Sequence, residues 1–169
     1  MAGEPGRPSE PGRKARPNGL DSPLVPRVMK HAARAHVWTY RRTGGRIGGR
    51  WRIGSALFKP VPTLLLEHRG RRSGRPFTTP LLYMEDGPDL VVVASQGGLP
   101  THPQWYLNLR AHPDTRVQVR TEVRRVRARV AGPTERAQLW PRLVEVYADF
   151  AAYQSWTDRE IPVMVLEPR

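Results

Sequence analysis

LLLEHRGRRSGRPFTTPLL, residues 64–82, sets two apolar runs on either side of a short, glycine-bounded basic turn. Leu64, Leu65 and Leu66 form the first run; in the second, Phe77, Thr79, Leu81 and Tyr83 alternate with Thr78, Pro80, Leu82 and Met84. Short runs bounded in this way predict the two strands of a β-hairpin. The connection carries Arg69, Arg71, Arg72 and Arg75 around Gly70, Ser73 and Gly74. Such a loop can turn backbone N–H groups and guanidinium groups toward one anion. A solvated basic turn has the same composition, so these residues alone settle the local fold and not its use.

The pattern continues on both sides. Glu85 to Asp89 (EDGPD) reads as a turn, and Leu90 to Ala94 as a fully buried strand. Arg116 to Val130 predicts a second hairpin. In it Val117, Val119, Val126, Ala128 and Val130 face one way and a run of arginines the other. Ile161 to Leu166 is a last strand. About six strands, mostly in hairpins, with few and short helices predict a mainly β (α+β) fold: a small antiparallel barrel with helical decorations.

Three stretches read as helical. Val25 to Arg42 places Val28, Ala32, Ala35 and Trp38 near one stripe, among bases, and Gly44 and Gly45 end it. A basic helix with a tryptophan can lie on an anionic membrane or pack its stripe on the domain. The GGRIGG that follows reads as a flexible connection, without the spacing of a nucleotide-binding loop. Thr101 with Gln104 three residues on is a capping-box signature, which places Trp105 to Leu109 on a short helix stopping before Pro113. The Ser95-Gln96-Gly97-Gly98 turn before it could offer free N–H groups near the end of the 90–94 strand. Pro133 to Trp156 predicts two short helices with Pro141 starting the second. Tyr147, Phe150 and Tyr153, at i, i+3 and i+6, would then line one side of a helix.

At 169 residues the chain is read as one folded domain, residues 27–169 with the basic helix at 27–42, behind a Pro/Gly-rich tail at 1–26 expected to be disordered. It has no cysteine, which excludes disulfides and thiolate metal sites and suits a reducing compartment. No apolar run approaches the roughly 20 residues that span a bilayer, and no signal sequence opens the chain. The expected location is therefore cytoplasmic, peripheral to the membrane if the first helix docks there. The net charge of +13, almost all arginine, calls for an acidic partner.

The residues for several chemistries are missing. His31, His36, His68, His102 and His112 form no ligand motif, so no metal is expected. No serine sits in a nucleophile elbow, and no carboxylate pair stands out. An enzyme built from this sequence would leave its reactive chemistry to a bound cofactor.

Six blocks point to a family. GRRSG at 70–74, TTPLLY at 78–83, VVVASQGG at 91–98, HPQWYLNLRAHP at 102–113, ERAQLWPRLVEVY at 135–147 and YQSWTDREIPVMVLEP at 153–168 resemble, in order, the deazaflavin-dependent nitroreductase family. The resemblance implies a split β-barrel and reduced coenzyme F420, a deazaflavin with a phosphodiester and a polyglutamate tail, used on quinones, enones or nitroaromatics. It places the anionic tail at Arg71, Arg72 and Ser73, with Arg75 nearby. It places the ring along Thr78, Thr79, Pro80, Leu81 and Leu82, with Phe77 just before them among the coenzyme-binding residues and Val93, Ala94, Ser95 and Gln96 as a second contact. Gln104, Trp105, Tyr106, Leu107 and Asn108 would close over the tail. Tyr147, Phe150 and Tyr153 would form the wall where acceptor stacks, with Phe150 also touching the coenzyme. Ser95, Tyr147 and Tyr153 would be the catalytic side chains. The chain departs from the family where Gln96 stands for a common lysine, Phe77 for arginine and Phe150 for tyrosine.

A quinone-like acceptor suits that apolar wall, and a homodimer is the assembly to test. Two other readings compete: a split barrel using FMN in place of F420, and a non-enzymatic basic protein that binds nucleic acid. Against the latter, the aromatics gather on apolar stripes and do not interleave with the arginines as in single-strand binders, so no specific nucleic acid is expected.

Overall fold

A computed structural model describes residues 25–169. The disorder expected of the N-terminal tail lies outside the described residues. Helix α1 spans Val25–Thr43. It is followed by β1 (Arg50–Trp51), β2 (Val61–Arg69), β3 (Pro76–Asp86), β4 (Asp89–Val93), α2 (Gln104–Ala111), β5 (Asp114–Val119), β6 (Glu122–Val130), α3 (Pro133–Val146), α4 (Asp149–Ser155) and β7 (Val163–Pro168). Short 3-10 turns occupy Gly54–Ala56 and Gln96–Gly98.

The strands run in the order β1-β2-β3-β4-β7-β6-β5, all antiparallel, and a β2–β5 pairing closes the last six into a barrel. The two-residue strand β1, which the sequence pattern does not signal, shares the edge of β2 with β5: β1 pairs at Val61 and Pro62, β5 at Leu65 and Leu66. The barrel is split between them.

Strand alternation explains two separate cores. Leu64, Leu66, Leu90, Val92, Met164 and Leu166 point inward, where Trp105, Tyr106 and Leu109 of α2 join them. Val61, Met84, Val91, Val93, Val163 and Val165 point outward, under α3, α4 and the 54–56 turn. This is why β4 and β7 read as unbroken apolar runs: each is buried on both faces. Val130 departs from its expected inward set and is 40% exposed.

Three local expectations change. Thr101 does not cap α2: Pro103 holds the N-cap position, the Thr101 hydroxyl accepts from Gln96 Nε2 at 3.4 Å, and Gln104 turns its carbonyl oxygen to Arg71. Pro141 does not start a new helix. It sits inside α3, with Pro141 and Ala137 exposed, so water takes the carbonyl its ring leaves free while Leu139 and Leu143 hold both halves on the core. The break comes at Tyr147, whose extended backbone separates α3 from α4, so Tyr147 does not share a helix with Phe150 and Tyr153.

Helix α1 ends where Gly44 and Gly45 take positive φ, and it lies against the hairpin through buried Tyr40, which donates to the Thr63 carbonyl at 2.9 Å. Its packing face is Tyr40 and half-buried His36; Ala32, Ala35 and Trp38 of the expected stripe are exposed. The 44–49 glycines form a tight turn and not a flexible link: a Cβ on Gly49 would fall 2.1 Å from the Gly45 carbonyl oxygen. No helix among the described residues is long and apolar enough to cross a membrane.

Candidate active site

The basic loop between β2 and β3 closes on itself, Gly70 N–H donating to the Arg75 carbonyl at 2.9 Å and Gly74 N–H to the Gly70 carbonyl at 2.7 Å. Gly74 takes the left-handed backbone this turn needs. The loop is then fastened to α2. Arg71 donates its backbone N–H to Asn108 Oδ1 at 3.1 Å, and its guanidinium reaches Gln104 Oε1 at 2.8 Å and Asn108 Oδ1 at 3.3 Å. Arg72 and Arg75 remain exposed, and no carboxylate among the described residues pairs with either.

Behind the loop the chain of bonds has a fixed direction. Asn108 Oδ1 is used by Arg71, so its amide nitrogen is the group facing His68 Nδ1, 3.0 Å away. That nitrogen can only accept. His68 is therefore neutral with its proton on Nε2, which donates to Thr79 Oγ1 at 3.0 Å. Burial supports this state by pulling the His68 pKa down to about 4. Thr79 is left with its own hydroxyl proton to offer a ligand. Phe77, 48% exposed, stacks on the imidazole with ring centroids 5.5 Å apart.

Two hollows meet over these residues. One, of about 250 Å³, is lined by the loop with Gln104 and Asn108. The other, of about 1300 Å³, is walled on its far side by Arg34, Trp38, Arg41 and Arg42 of α1. They share His68, Phe77 and Gln104, and so form one continuous basic groove. Trp38, 69% exposed, stands on its rim. Arg41 is partly spent, bonding Glu67 at 3.1 Å and Thr78 Oγ1 at 3.2 Å.

The second half of the candidate site lies where β4 ends. Val93 and Ala94 are buried, and the Ser95–Gly98 turn presses on α4: a Cβ at Gly98 would stand 2.7 Å from the Tyr153 carbonyl oxygen. Arg159 fixes this turn, donating to the carbonyls of Leu99 (2.9 Å), Ser95 (2.8 Å) and Ala94 (3.2 Å). Gln96 adopts a left-handed backbone, and its buried Oε1 has no partner among the described residues.

Although Tyr147 is off the helix, the three rings gather. Tyr147 and Phe150 are 5.1 Å apart edge to face, Tyr153 lies 6.3–6.4 Å from both, and the two tyrosine hydroxyls are 3.4 Å apart. Burial, then the contacts with Tyr153 and Asp149, push the Tyr147 pKa well above the ordinary tyrosine range. The 54–56 turn covers that hydroxyl, latched by Ser55 N–H to Asp149 Oδ2 at 3.2 Å and Asp149 N–H to Ser55 Oγ at 3.3 Å. Phe150 is buried; Tyr153 is the half-exposed ring.

The structure thus fastens Arg71 to α2, sets Phe77, Thr78 and Thr79 on the groove, splits Leu81 and Leu82 between the inner and outer cores, and packs the turn that follows Ser95 and Gln96 on Tyr153 through Gly98. Trp105 and Tyr106 are largely spent on the inner core. Sequence reasoning missed His68 and Arg159. His68 carried one usable signal: strand alternation places it on the inner face with Leu64 and Leu66, where a histidine must find partners.

Comparison with known proteins identifies the family. A family model described as F420H(2)-dependent quinone reductase matches residues 32–168. A Mycobacterium tuberculosis (strain ATCC 25618 / H37Rv) protein named "Putative F420H(2)-dependent quinone reductase Rv3178" is 56% identical over 118 residues, 70% of this chain and 99% of that protein. A solved F420-H2 dependent reductase (FDR-A) superposes with TM-score 0.59 and 39% identity over 63% of this chain and 94% of that one. A structure titled as a domain-swapped dimer gives TM-score 0.60 and 31% identity over 85% of this chain and 99% of that one. The chain, a closed six-stranded barrel with a basic groove at one hairpin, belongs to the F420H(2)-dependent quinone reductase family.

Proposed function

We propose that this protein binds reduced coenzyme F420 along the groove and passes two electrons to a quinone at the Tyr147–Phe150–Tyr153 cluster. The observation that carries the reading is the loop 70–75, held rigidly to α2 while Arg72 and Arg75 keep no acidic partner among the described residues. The donor set fits a polyanion with a flat polar ring. Arg71, Arg72 and Ser73 suit phosphate and carboxylate, and Arg75 stands beside them. The Thr79 hydroxyl offers a proton to a ring acceptor, and the half-exposed Phe77 offers an aromatic face.

When bound, the reduced deazaflavin supplies a hydride from its ring carbon. The chain's part is to orient that ring, exclude water and place the acceptor. The backbone of β3 at Thr78, Pro80, Leu81 and Leu82 runs along the ring, with Leu81 facing the inner core and Leu82 the outer one. Ser95, on a turn that Arg159 pins, holds the acceptor oxygen or a ring group. Tyr153 is the proton donor we assign, since the Tyr147 hydroxyl is buried and faces it. A quinone fits best because the wall is apolar and aromatic; enones and nitroaromatics are expected to be poorer acceptors, the latter because Phe150 lacks a hydroxyl. A homodimer is the assembly we propose, supported by the relative solved as a domain-swapped dimer.

The test is fluorescence titration with F420 and, separately, FMN, followed by steady-state oxidation of reduced F420 with menadione. Tight F420 binding and turnover support the reading. Preferential FMN binding overturns the cofactor, and steeply salt-dependent DNA binding without F420 binding overturns the enzyme.

A further inference from the structure

A second basic feature lies at the far end of β2 from the loop 70–75. Residues 46–59 join α1 to β2 and carry Arg46, Arg50, Arg52 and Lys59 with no acid. Set among these bases are Ile47, Ile53, Leu57 and Phe58, each more than half exposed, Phe58 at 94%. They are half of the eight large apolar side chains left exposed among the described residues, so the exposure is concentrated here.

The segment that presents them is already fixed. Gly49 accepts from Thr63 N–H at 3.0 Å, Trp51 and Ala56 pack on the outer core, and Ser55 and Asp149 bond each other reciprocally. Ordering it therefore adds little cost on binding. Beside it, at the split between β1 and β5, a hollow of about 470 Å³ is lined by Arg46, Arg50, Arg52, Arg120 and Thr63. Thr63 is 3% exposed and its hydroxyl oxygen has no partner among the described residues. No described carboxylate pairs with these four arginines.

We propose that residues 46–59 form a docking surface for an anionic lipid bilayer, with a lipid phosphate in the hollow. Aliphatic and aromatic tips enter the boundary between headgroups and acyl chains, while the bases meet the phosphates. Three of the four apolar tips are aliphatic, which suits acyl chains better than the aromatic platforms on which nucleic-acid bases stack, and a merely solvated loop would not leave them together. The same segment lies on the acceptor cluster, since a Cβ at Gly54 would come 2.9 Å from the Tyr147 hydroxyl. Docking would thus hold that cluster at the lipid surface; this consequence rests on the quinone reading, whereas the docking does not.

The test is co-sedimentation of the full-length protein with phosphatidylglycerol vesicles and with phosphatidylcholine vesicles, at low and high salt. Binding is expected to the anionic vesicles only and to weaken with salt. Leu57→Ser/Phe58→Ser should lose about tenfold or more, and Arg50→Gln/Arg52→Gln roughly fivefold per charge. Inorganic phosphate should protect Arg50 and Arg52 from chemical modification if the hollow takes a phosphate as such; protection only by the vesicles assigns it to the headgroup. F420 titration of the same variants should be unchanged, which separates a failure of docking from a failure of the coenzyme site. Absence of vesicle binding, equal binding to neutral vesicles, or binding lost in Trp38→Ser but kept in both double variants overturns the proposal.

Discussion

The side-chain amide of Asn108 stands 3.0 Å from Nδ1 of His68, across 40 residues of sequence, and joins helix α2 to strand β2. Through it the conformation of the basic loop and the hydrogen-bonding polarity of Thr79 become one property. Asn108→Ala would leave the Arg71 N–H and His68 Nδ1 without partners in a buried place. Loss of about 1–3 kcal/mol in denaturant stability is expected, together with weaker F420 binding. Unchanged coenzyme affinity in a destabilised variant would reduce the network to a structural one.

The depressed pKa of His68 gives a sign. The unfolded chain binds this proton below about 6.5 and the folded chain only near 4, so between those values the unfolded state holds more protons and stability falls as pH falls. The loss should begin near pH 6.5 and be complete near pH 4. His68→Gln should flatten that part of the profile, measured as the denaturation midpoint against pH.

Arg71 and Arg72 should differ. Arg71 is bonded to Gln104 and Asn108, so Arg71→Ala both removes a charge and unfastens the loop. Arg72→Ala removes a solvent-facing charge alone. Losing one charge-assisted contact costs about 1.5–3 kcal/mol, roughly 10- to 150-fold in affinity. Arg72→Ala should show that loss in an F420 titration with an unshifted melting temperature, whereas Arg71→Ala should lower both. Wild-type binding by both variants would leave only a basic turn.

At the acceptor cluster, Tyr153→Phe keeps the ring and removes a part-buried hydroxyl. Turnover of reduced F420 with menadione should fall by about 10²-fold, with coenzyme affinity unchanged. Phe150→Tyr must place its hydroxyl in a buried site beside Tyr147, so it should cost stability. Any gain on a nitroimidazole acceptor would show that the new group orients it. If neither substitution alters either rate, the rings are core.

Arg159 holds three carbonyls of the turn that carries Ser95. Arg159→Met should cost about 2 kcal/mol or more in stability and lower kcat more than it alters F420 binding. Equal loss of both would assign Arg159 to the coenzyme groove.

The two hairpins and the doubly buried strands were legible because periodicity reports burial directly, and Leu90 to Ala94 announces two covered faces. Helix boundaries were less so. Pro141 reads as a breaker, yet its cost is met by solvent at the exposed Ala137 carbonyl, which no local pattern shows. Thr101 reads as a cap, but the helix begins only at Gln104, with Pro103 at the N-cap. The loop 70–75 was readable as a turn, but its partners were not: His68 and Asn108 are 40 positions apart, and only the barrel's closure brings them together. For the same reason no local pattern sets Trp38 on the rim of the groove, where the fold places it.

Among the barrel's six junctions, the one between β2 and β5 is held by only two residue pairs, Leu65 with Gln118 and Leu66 with Val117, against seven between β2 and β3. The barrel therefore has a seam. Heat or denaturant should part it there first, leaving the remaining strands as a continuous open ribbon. The groove flanks that seam, since His68 and Thr79 lie on the hairpin one side of it and Asn108 on the helix leading into the other. A ligand bridging loop and helix would act as a clasp, and the coenzyme's hold on the protein and the protein's hold on its own closure would rise and fall together.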